Sequence, residues 1–537
     1  MKNKFLALGA ILFSGILFAG CSSSKADSDT ETINVTLAGN PATADPNKGG
    51  DTNSGSLFAQ TDEGLYKLDK NQKVVAGIAT KVVTPTNGGK TYTFKIKKNA
   101  KWSNGKAITA QDFATSFQRQ VDPDTKSQVA NLLTYVKNYQ AVQDGKLKPS
   151  ALGVKALNKH TLQIQLSKPE PYLKTVLATS LYPVYSSYVK KYGSNYGTSS
   201  TKVVSSGAYK LVGWNATKDT WSYVKNPYYW NAKQVKLSKV NVQVVKDDTT
   251  AVNLFKGNKV QETAISGQTV SQFANTKNLS TQLISRMAFL EFNYKRKATS
   301  NENLSKVISL ILNRKTMTSK VLADGSVPAL NMVPKGDSTD AKNGKDFASE
   351  VGNLLSFNIT EAQKDWKLAQ KQLGKKKMTL TMLVDNTSTD KQVGQYIQGQ
   401  ASKYLKGLTI EIKPMPHSQH IGVASNGDYD INLDGWTGDY QDPEEFLQLG
   451  NGQDPVNFTK WADKHYTKLM SEIDDTNNHT TSERWALMQE ADKYLMAKQG
   501  IVPLYQSTAT HLVSKNVKGL TYSNQAGKAL YQYASVK

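Results

Sequence analysis

One cysteine, six histidines and five arginines in 537 residues leave little of the chemistry on which most metalloproteins and covalent catalysts depend. With Cys21 alone there is no disulfide framework and no cysteine zinc site. No Gly-x-Ser-x-Gly elbow occurs, and no cysteine remains in the body of the chain to act as a nucleophile. A pair of converging carboxylates stays open, because sequence does not show which acids meet. Arginine is confined to Arg119, Arg286, Arg296, Arg314 and Arg484, so the formal charge of +23 is almost all lysine. Arginine is the side chain favoured for forked phosphate contacts. A solubilising surface suited to an anionic envelope is therefore expected in preference to nucleic-acid binding. No cofactor and no metal ion are expected, and function must rest on carboxylates, aromatics, amides and backbone.

Beyond the amino terminus the chain has no apolar run of membrane-spanning length, no internal repeat and no low-complexity tract outside the short tether described next. Lys2 and Lys4 precede an apolar stretch, residues 5–19, that ends at Gly20-Cys21. This is the charged and apolar pattern of a secretory signal, 1–20. Leu17-Phe18-Ala19-Gly20-Cys21 resembles a bacterial lipobox, with Phe18 where leucine is usual. Cleavage before Cys21 and its acylation would leave a lipidated polar tether, 21–28, on the outer face of the cell membrane.

The length implies two or three domains, and 38% hydrophobic residues with 25 Tyr and 8 Trp suffice for packed cores. Ile33, Val35 and Leu37 alternate as a strand that ends at Gly39-Asn40-Pro41. Residues 82–97 read as two strands around Asn87-Gly88-Gly89. Gly89-Lys90-Thr91 has the tail of a phosphate loop but neither its first glycine nor a following helix, so a hairpin turn is expected. Thr109-Ala110-Gln111-Asp112 and Thr360-Glu361-Ala362-Gln363 read as capping boxes that open helices. Met378, Leu380 and Met382, then Val393, Ile397 and Tyr404, then Leu408, Ile410 and Ile412 spell a βαβ crossover with parallel strands. Residues 428–434 supply a further strand, a long helix covers about 480–498, and residues 500–505 return as a short strand.

That further strand delivers Gly435-Trp436-Thr437-Gly438-Asp439-Tyr440-Gln441-Asp442-Pro443. In open α/β sheets ligands sit at such strand ends. Asp442 with Pro443 and Glu445 reads as a helix-starting capping box. Asp439 has no such local duty and is the better counter-charge for a ligand ammonium. Trp436 is balanced between a core aromatic and a ligand-facing one. His417 and His420 stand one helical turn apart, but no third ligand is evident, so a solvated helix is expected.

Several of these segments together resemble the extracytoplasmic solute-binding proteins, family 5, and among them the oligopeptide-binding lipoproteins of ABC importers. The likeness is carried by Trp102-Ser103-Asn104-Gly105 through Asp112-Phe113, Gly207-Ala208-Tyr209-Lys210-Leu211, Asn226-Pro227-Tyr228-Tyr229-Trp230, Glu291-Phe292-Asn293, the 435–443 stretch and Val502-Pro503-Leu504-Tyr505. Lys306 and Val307 depart from an arginine-led helix start in relatives. The resemblance implies an α/β, two-lobed, type II periplasmic-binding-protein-like fold with a hinge and an extra inserted domain. Lobe I would comprise 29–66, 175–286 and 502–537. The inserted domain II would be 67–174, and lobe II (domain III) 287–501. It further implies a non-catalytic monomer that captures oligopeptides for the permease subunits of an ABC transporter. Asp439 would hold the peptide amino group. The backbone of Gly435, Trp436 and Thr437 on one side, and of Asn40, Pro41 and Ala42 on the other, would pair with its main chain, with Tyr505 nearby. Receptors for another solute, such as a metal chelate or a sugar, and a secreted hydrolase are the alternatives.

Overall fold

A computed structural model describes residues 31–454 and 456–537; the signal and the tether, with Cys21, lie outside them. Among the described residues no helix is long and apolar enough to cross a membrane.

The backbone is organised by one eleven-stranded mixed sheet. From one edge it runs Leu408–Met415, Met378–Asp385, Ile431–Thr437, Leu279–Phe292, Ile501–Val513, Glu262–Ala264, Thr32–Leu37, Lys239–Val244, Thr220–Lys225 and Tyr209–Val212, with Val327–Pro328 added beside Ile501–Val513. The two central strands are the longest, at 14 and 13 residues. Residues 501–513 therefore form a strand about twice the expected length, because its second half continues into a different set of partners. Leu279–Phe292 and Ile501–Val513 pair antiparallel in two blocks. Leu279 to Leu283 face Leu512 to Thr508 beside Glu262–Ala264, and Met287 to Glu291 face Gln506 to Ile501 beside Ile431–Thr437. Between the blocks Ile284, Ser285 and Arg286 oppose only Ser507, so the ladder is broken there. An irregularity of this kind bends a strand pair and ends regular pairing.

The cores follow the two halves of the sheet. One, including Ile33, Val35, Trp221, Val240 and Tyr531, packs on the strands around Thr32–Leu37. Two others cover the opposite faces of the Ile431–Thr437 half, one with Leu380, Ile397 and Leu433, the other with Phe289, Tyr466 and Leu495. A fourth, built on Phe94, Trp102, Phe113, Phe117 and Leu162, belongs to the intervening small sheet and helices and includes Tyr440 from the far half.

The local signals operate mostly where they were read. Ile33 and Val35 are buried in Thr32–Leu37, and the strand stops before Asn40-Pro41. Thr109 N–H donates to Asp112 Oδ2 at 2.9 Å, closing the first capping box over Ala110–Val121. The crossover Met378–Asp385, Ser388–Tyr404, Leu408–Met415 has parallel strands in the register Met378 to Leu408. Two boundaries move. The helix expected from Thr360 runs Ile359–Leu373, because the Asn358 side chain takes the Glu361 amide at 3.1 Å. Of the hairpin expected over 82–97, only Thr91–Lys95 is a strand. Asn87, Gly88 and Gly89 all have positive φ and form the turn, and Thr91–Lys95 pairs with Thr161–Gln165 instead. Lys306, at the departure from the arginine-led helix start, bonds Glu361 at 2.8 Å and Asp365 at 3.0 Å.

Four of the five arginines are committed to the scaffold. Arg119 clamps Asp45, Arg296 meets Asp430, and buried Arg314 donates to the carbonyls of Pro503 and Ser309. Arg484 grips Asp442 in a fork at 2.8 and 2.9 Å and donates through Nε to Ile473 O at 3.0 Å. Both members of that fork are buried. Removing one partner strands the other's charge in protein, so Arg484→Met should cost about 3–5 kcal/mol. Urea unfolding followed by tryptophan fluorescence should show the lobe containing Asp442 melting at lower denaturant. An unchanged midpoint would mean the pair contributes nothing.

Candidate functional site

Ile431–Thr437 extends past Asp434, so Gly435, Trp436 and Thr437 lie within the strand and not in a loop after it. They stand opposite Ala288, Met287 and Arg286 respectively. On the other side Met378–Asp385 pairs with this strand only at Ile431 and Asn432. From Gly435 onward that edge has no strand beside it. Its polar groups are met by side chains: the Gly435 amide donates to Asp434 Oδ1 at 2.7 Å, and Arg286 Nη1 donates to Gly435 O at 3.3 Å and to Thr437 Oγ1 at 3.0 Å. A Cβ on Gly435 would lie 2.7 Å from Arg286 Nη2, so the missing side chain lets the guanidinium approach the strand.

The stretch after the strand is fixed against the broken part of the central ladder. Gly438 N–H donates to Ser285 O at 2.8 Å, and Ser285 N–H donates to Asn524 O at 2.7 Å. Ile284 O accepts from Gln506 Nε2 at 3.0 Å. Gln525 Nε2 then donates to Asp439 O at 2.7 Å, so the carboxyl-terminal loop of one half touches the strand end of the other.

The two aspartates separate as their sequence contexts indicate, with one difference. Asp442 accepts from the Glu444 amide at 3.1 Å and is held by Arg484, which makes it a structural residue. Glu445 does not complete a capping box with it. Its Oε1 instead accepts from Trp436 Nε1 at 2.8 Å and from the Asp439 amide at 3.1 Å, fixing both the indole and the turn. The helix that follows is only Glu444–Leu447, too short to demand the box. Asp439 keeps its side chain accessible although protein surrounds it on most sides, as a cleft-lining group would. Burial raises its pKa, opposed by the charge of Lys528. Burial lowers the Lys528 pKa, with Asp439 and Asp51 opposing.

Trp436 and Asp439 line a cavity of about 630 Å³ between the inserted segment and this strand end. Tyr172 and Tyr440 stack across the seam at 3.7 Å. Thr476 Oγ1 donates to Pro169 O at 2.5 Å, and Lys168 pairs with Asp474. Asn40, Pro41 and Ala42 do not line this cavity; Asn40 Nδ2 donates to Asp219 Oδ1 at 3.1 Å, Pro41 is buried and Ala42 is exposed. Tyr505 stands opposite Ala288 and Pro328 and is buried in a core. His417 and His420 both turn Nδ1 onto Asp385, at 2.7 and 2.6 Å, and His420 Nε2 faces Asn432. Among the described residues no group of three or more metal-binding side chains occurs. Sequence reasoning missed Arg286, Glu445, Gln525 and Lys528. Glu445 was legible as a cap, and nothing local distinguishes Lys528 from the many other lysines.

A two-lobed solute-binding architecture is what this arrangement shares with solved structures. The pheromone receptor PrgZ, described with its mode of peptide binding, is 33% identical with a TM-score of 0.81, over 94% of this chain and 99% of that one. The peptide-bound OppA of Listeria monocytogenes is 33% identical with a TM-score of 0.80, over 95% and 100%. Among curated relatives, the dipeptide-binding protein of Lactococcus lactis subsp. cremoris is 30% identical over 481 residues, 87% of this chain and 86% of that protein. The sequence pattern of the bacterial extracellular solute-binding proteins, family 5 Middle, matches residues 73–458, and the chain belongs to that family.

The seam also holds carboxyls out of their usual range. Burial, then Glu444, raises Glu170 to about 8; burial, then Asp442, raises Glu444 to about 7. Both values lie above the ordinary glutamate value of about 4.3. The native state therefore holds protons that the unfolded chain releases, and the stability this allows is full below about pH 4 and is lost as pH rises through 7 to 8. Glu170→Gln removes one such group. Thermal unfolding across pH should show variant and wild type alike below about pH 4, with the variant increasingly the more stable toward about pH 9. A difference independent of pH would contradict the assignment.

Proposed function

We propose that the chain is a lipid-anchored extracytoplasmic receptor that encloses oligopeptides between two lobes and delivers them to the permease of an ABC importer. The observation that carries this reading is the unpaired strand edge at Gly435-Trp436-Thr437 ending on the accessible carboxylate of Asp439. An extended peptide can add to such an edge as a further strand, its main chain supplying affinity without regard to sequence. Asp439 would accept hydrogen bonds from the peptide ammonium. The groups that now meet Gly435, from Asp434 and Arg286, would yield to the ligand backbone. The lobe I wall would come from the loop bearing Gln525 and Lys528. The kinship to a dipeptide-binding protein and to two peptide-binding structures supports a peptide as the solute.

In this proposal lobe I comprises 29–66, 175–286 and 502–537, lobe II is 287–501, and 67–174 is the inserted domain. Closure would pivot on the broken ladder, where Ile284, Ser285 and Arg286 oppose Ser507. Hinges are a few residues that absorb the backbone change while packed lobes move as bodies. Ligand can drive closure only through contacts made better in the closed state, here those to both walls. The receptor would act as a monomer, binding without turnover.

Calorimetry with defined peptides tests the site. A charge-assisted contact to the ammonium is worth about 1.5–3 kcal/mol. Asp439→Ala, or acetylation of the peptide amino group, should therefore weaken binding roughly tenfold to a hundredfold. Unchanged affinity in both would reject Asp439 as the anchor. Acylation is tested separately. Labelled palmitate should enter the wild-type chain in cells, and Cys21→Ser should release the protein from the membrane fraction. A Cys21→Ser protein that stays membrane-bound would remove the lipid anchor from the account.

A further inference from the structure

The cavity that Trp436 and Asp439 share with the inserted segment has a one-sided chemistry that main-chain recognition does not use. Its walls carry six carboxyls, Glu170, Asp439, Glu444, Glu445, Asp454 and Asp474, against a single lysine, Lys168. Lys168 is already paired with Asp474. Arg484, the nearest arginine, is spent in its fork with Asp442. Several of the acids have internal partners: Glu444 accepts from Tyr440 O–H at 2.9 Å, Glu445 from Trp436 and the Asp439 amide, and Asp454 from the Val456 amide at 2.9 Å. Glu170 has none. It is 5% exposed, lines the cavity, and makes no side-chain hydrogen bond or ion pair among the described residues.

Burying a carboxyl without a partner is costly, and folded proteins normally supply one or protonate the group. Here the Tyr172–Tyr440 stack closes the seam beside it, and the cavity of about 630 Å³ leaves room for an incoming side chain. We propose that this cavity is a side-chain pocket for a lysine or arginine placed near the amino terminus of the bound peptide, with Glu170 as its principal counter-ion. The inference rests on the peptide-receptor reading and specifies its substrate class: peptides with a basic residue at or next to the amino end. The same wall that holds the ammonium at Asp439 would thus direct the neighbouring side chain toward Glu170. Burial and neighbouring acids hold these carboxyls partly protonated in the empty protein, so a cation entering the pocket would displace protons as it binds.

The test uses the full mature chain and three peptides with free termini: Lys-Ala-Ala-Ala-Ala, its norleucine counterpart and its glutamate counterpart. Calorimetry should show the lysine peptide binding at least tenfold more tightly than the norleucine peptide, and the glutamate peptide weakest. Glu170→Gln should reduce the lysine preference to less than threefold while leaving the norleucine affinity within threefold of wild type. Glu444→Gln serves as a second variant and should lower the same preference. Repeating the lysine titration in buffers of different ionisation enthalpy should reveal proton release that the norleucine peptide lacks. Equal affinity for lysine and norleucine peptides, or a preference that survives both substitutions, would overturn the pocket while leaving the receptor reading intact. Binding of none of the three would overturn both.

Discussion

The structure depends on two long strands that belong to both halves of the molecule and yet lose their pairing across Ile284, Ser285 and Arg286. Leu279–Phe292 and Ile501–Val513 form ladders on either side of the break, each block continuing into a different group of strands. Where Ile284, Ser285 and Arg286 oppose Ser507, the main-chain groups turn elsewhere. Ser285 bonds Asn524 in one direction and Gly438 in the other, and Gln506 reaches back to Ile284. Buried backbone groups must find partners. The consequence is that the segment joining the lobes is also the segment that fixes the strand end bearing Asp439. Under the proposed function, hinge and binding wall would share these hydrogen bonds, which would give a direct physical route from ligand contact to lobe position.

Charge in this protein is divided by depth. The lysines that give the chain its net +23 are mostly outside, whereas the seam between the inserted segment and lobe II concentrates acids. Arg484 neutralises one of them, Asp442, in a fully satisfied fork. Glu170 has no side-chain partner among the described residues, Glu444 has Tyr440 and Glu445 has Trp436 and the Asp439 amide, yet burial raises the pKa of all three. Stability is thereby given up at a place where a ligand's positive charge would return it, a pattern that recurs at functional sites.

Much of the scaffold was legible because its signals are local. Alternation placed Thr32–Leu37, Thr109 and Asp112 announced their helix, and the periodicity of residues 378–412 gave a parallel crossover with the right order. What was not legible depends on distance in sequence. The strand at 431–437 outlasts its apolar pattern because Leu279–Phe292, well over a hundred residues earlier, continues to pair with it past Asp434. Asp442 looked like half of a capping box, but its partner is Arg484, 42 residues away, while Glu445 turns to Trp436. Asn358, two residues before the expected cap, takes the Glu361 amide and starts the helix there. Of the proposed site, Gly435, Trp436, Thr437 and Asp439 were read as a strand-end group from their composition. Gln525, Lys528 and Arg286 reach it only through the fold, and the Asn40 side chain donates to Asp219.

The central claim is that an extended peptide lies along the Gly435-Trp436-Thr437 edge with its amino group on Asp439. The most direct measurement is a crystal structure of the protein carrying the ligand with which it is purified, identified in parallel by mass spectrometry. The account predicts a peptide in the seam between the lobes. Its main chain should bond Gly435 and Thr437 in place of the Asp434 and Arg286 side chains, and its terminal nitrogen should lie within hydrogen-bond reach of the Asp439 carboxylate. A ligand that is not a peptide, or a peptide that leaves Asp439 and this edge untouched, would contradict it.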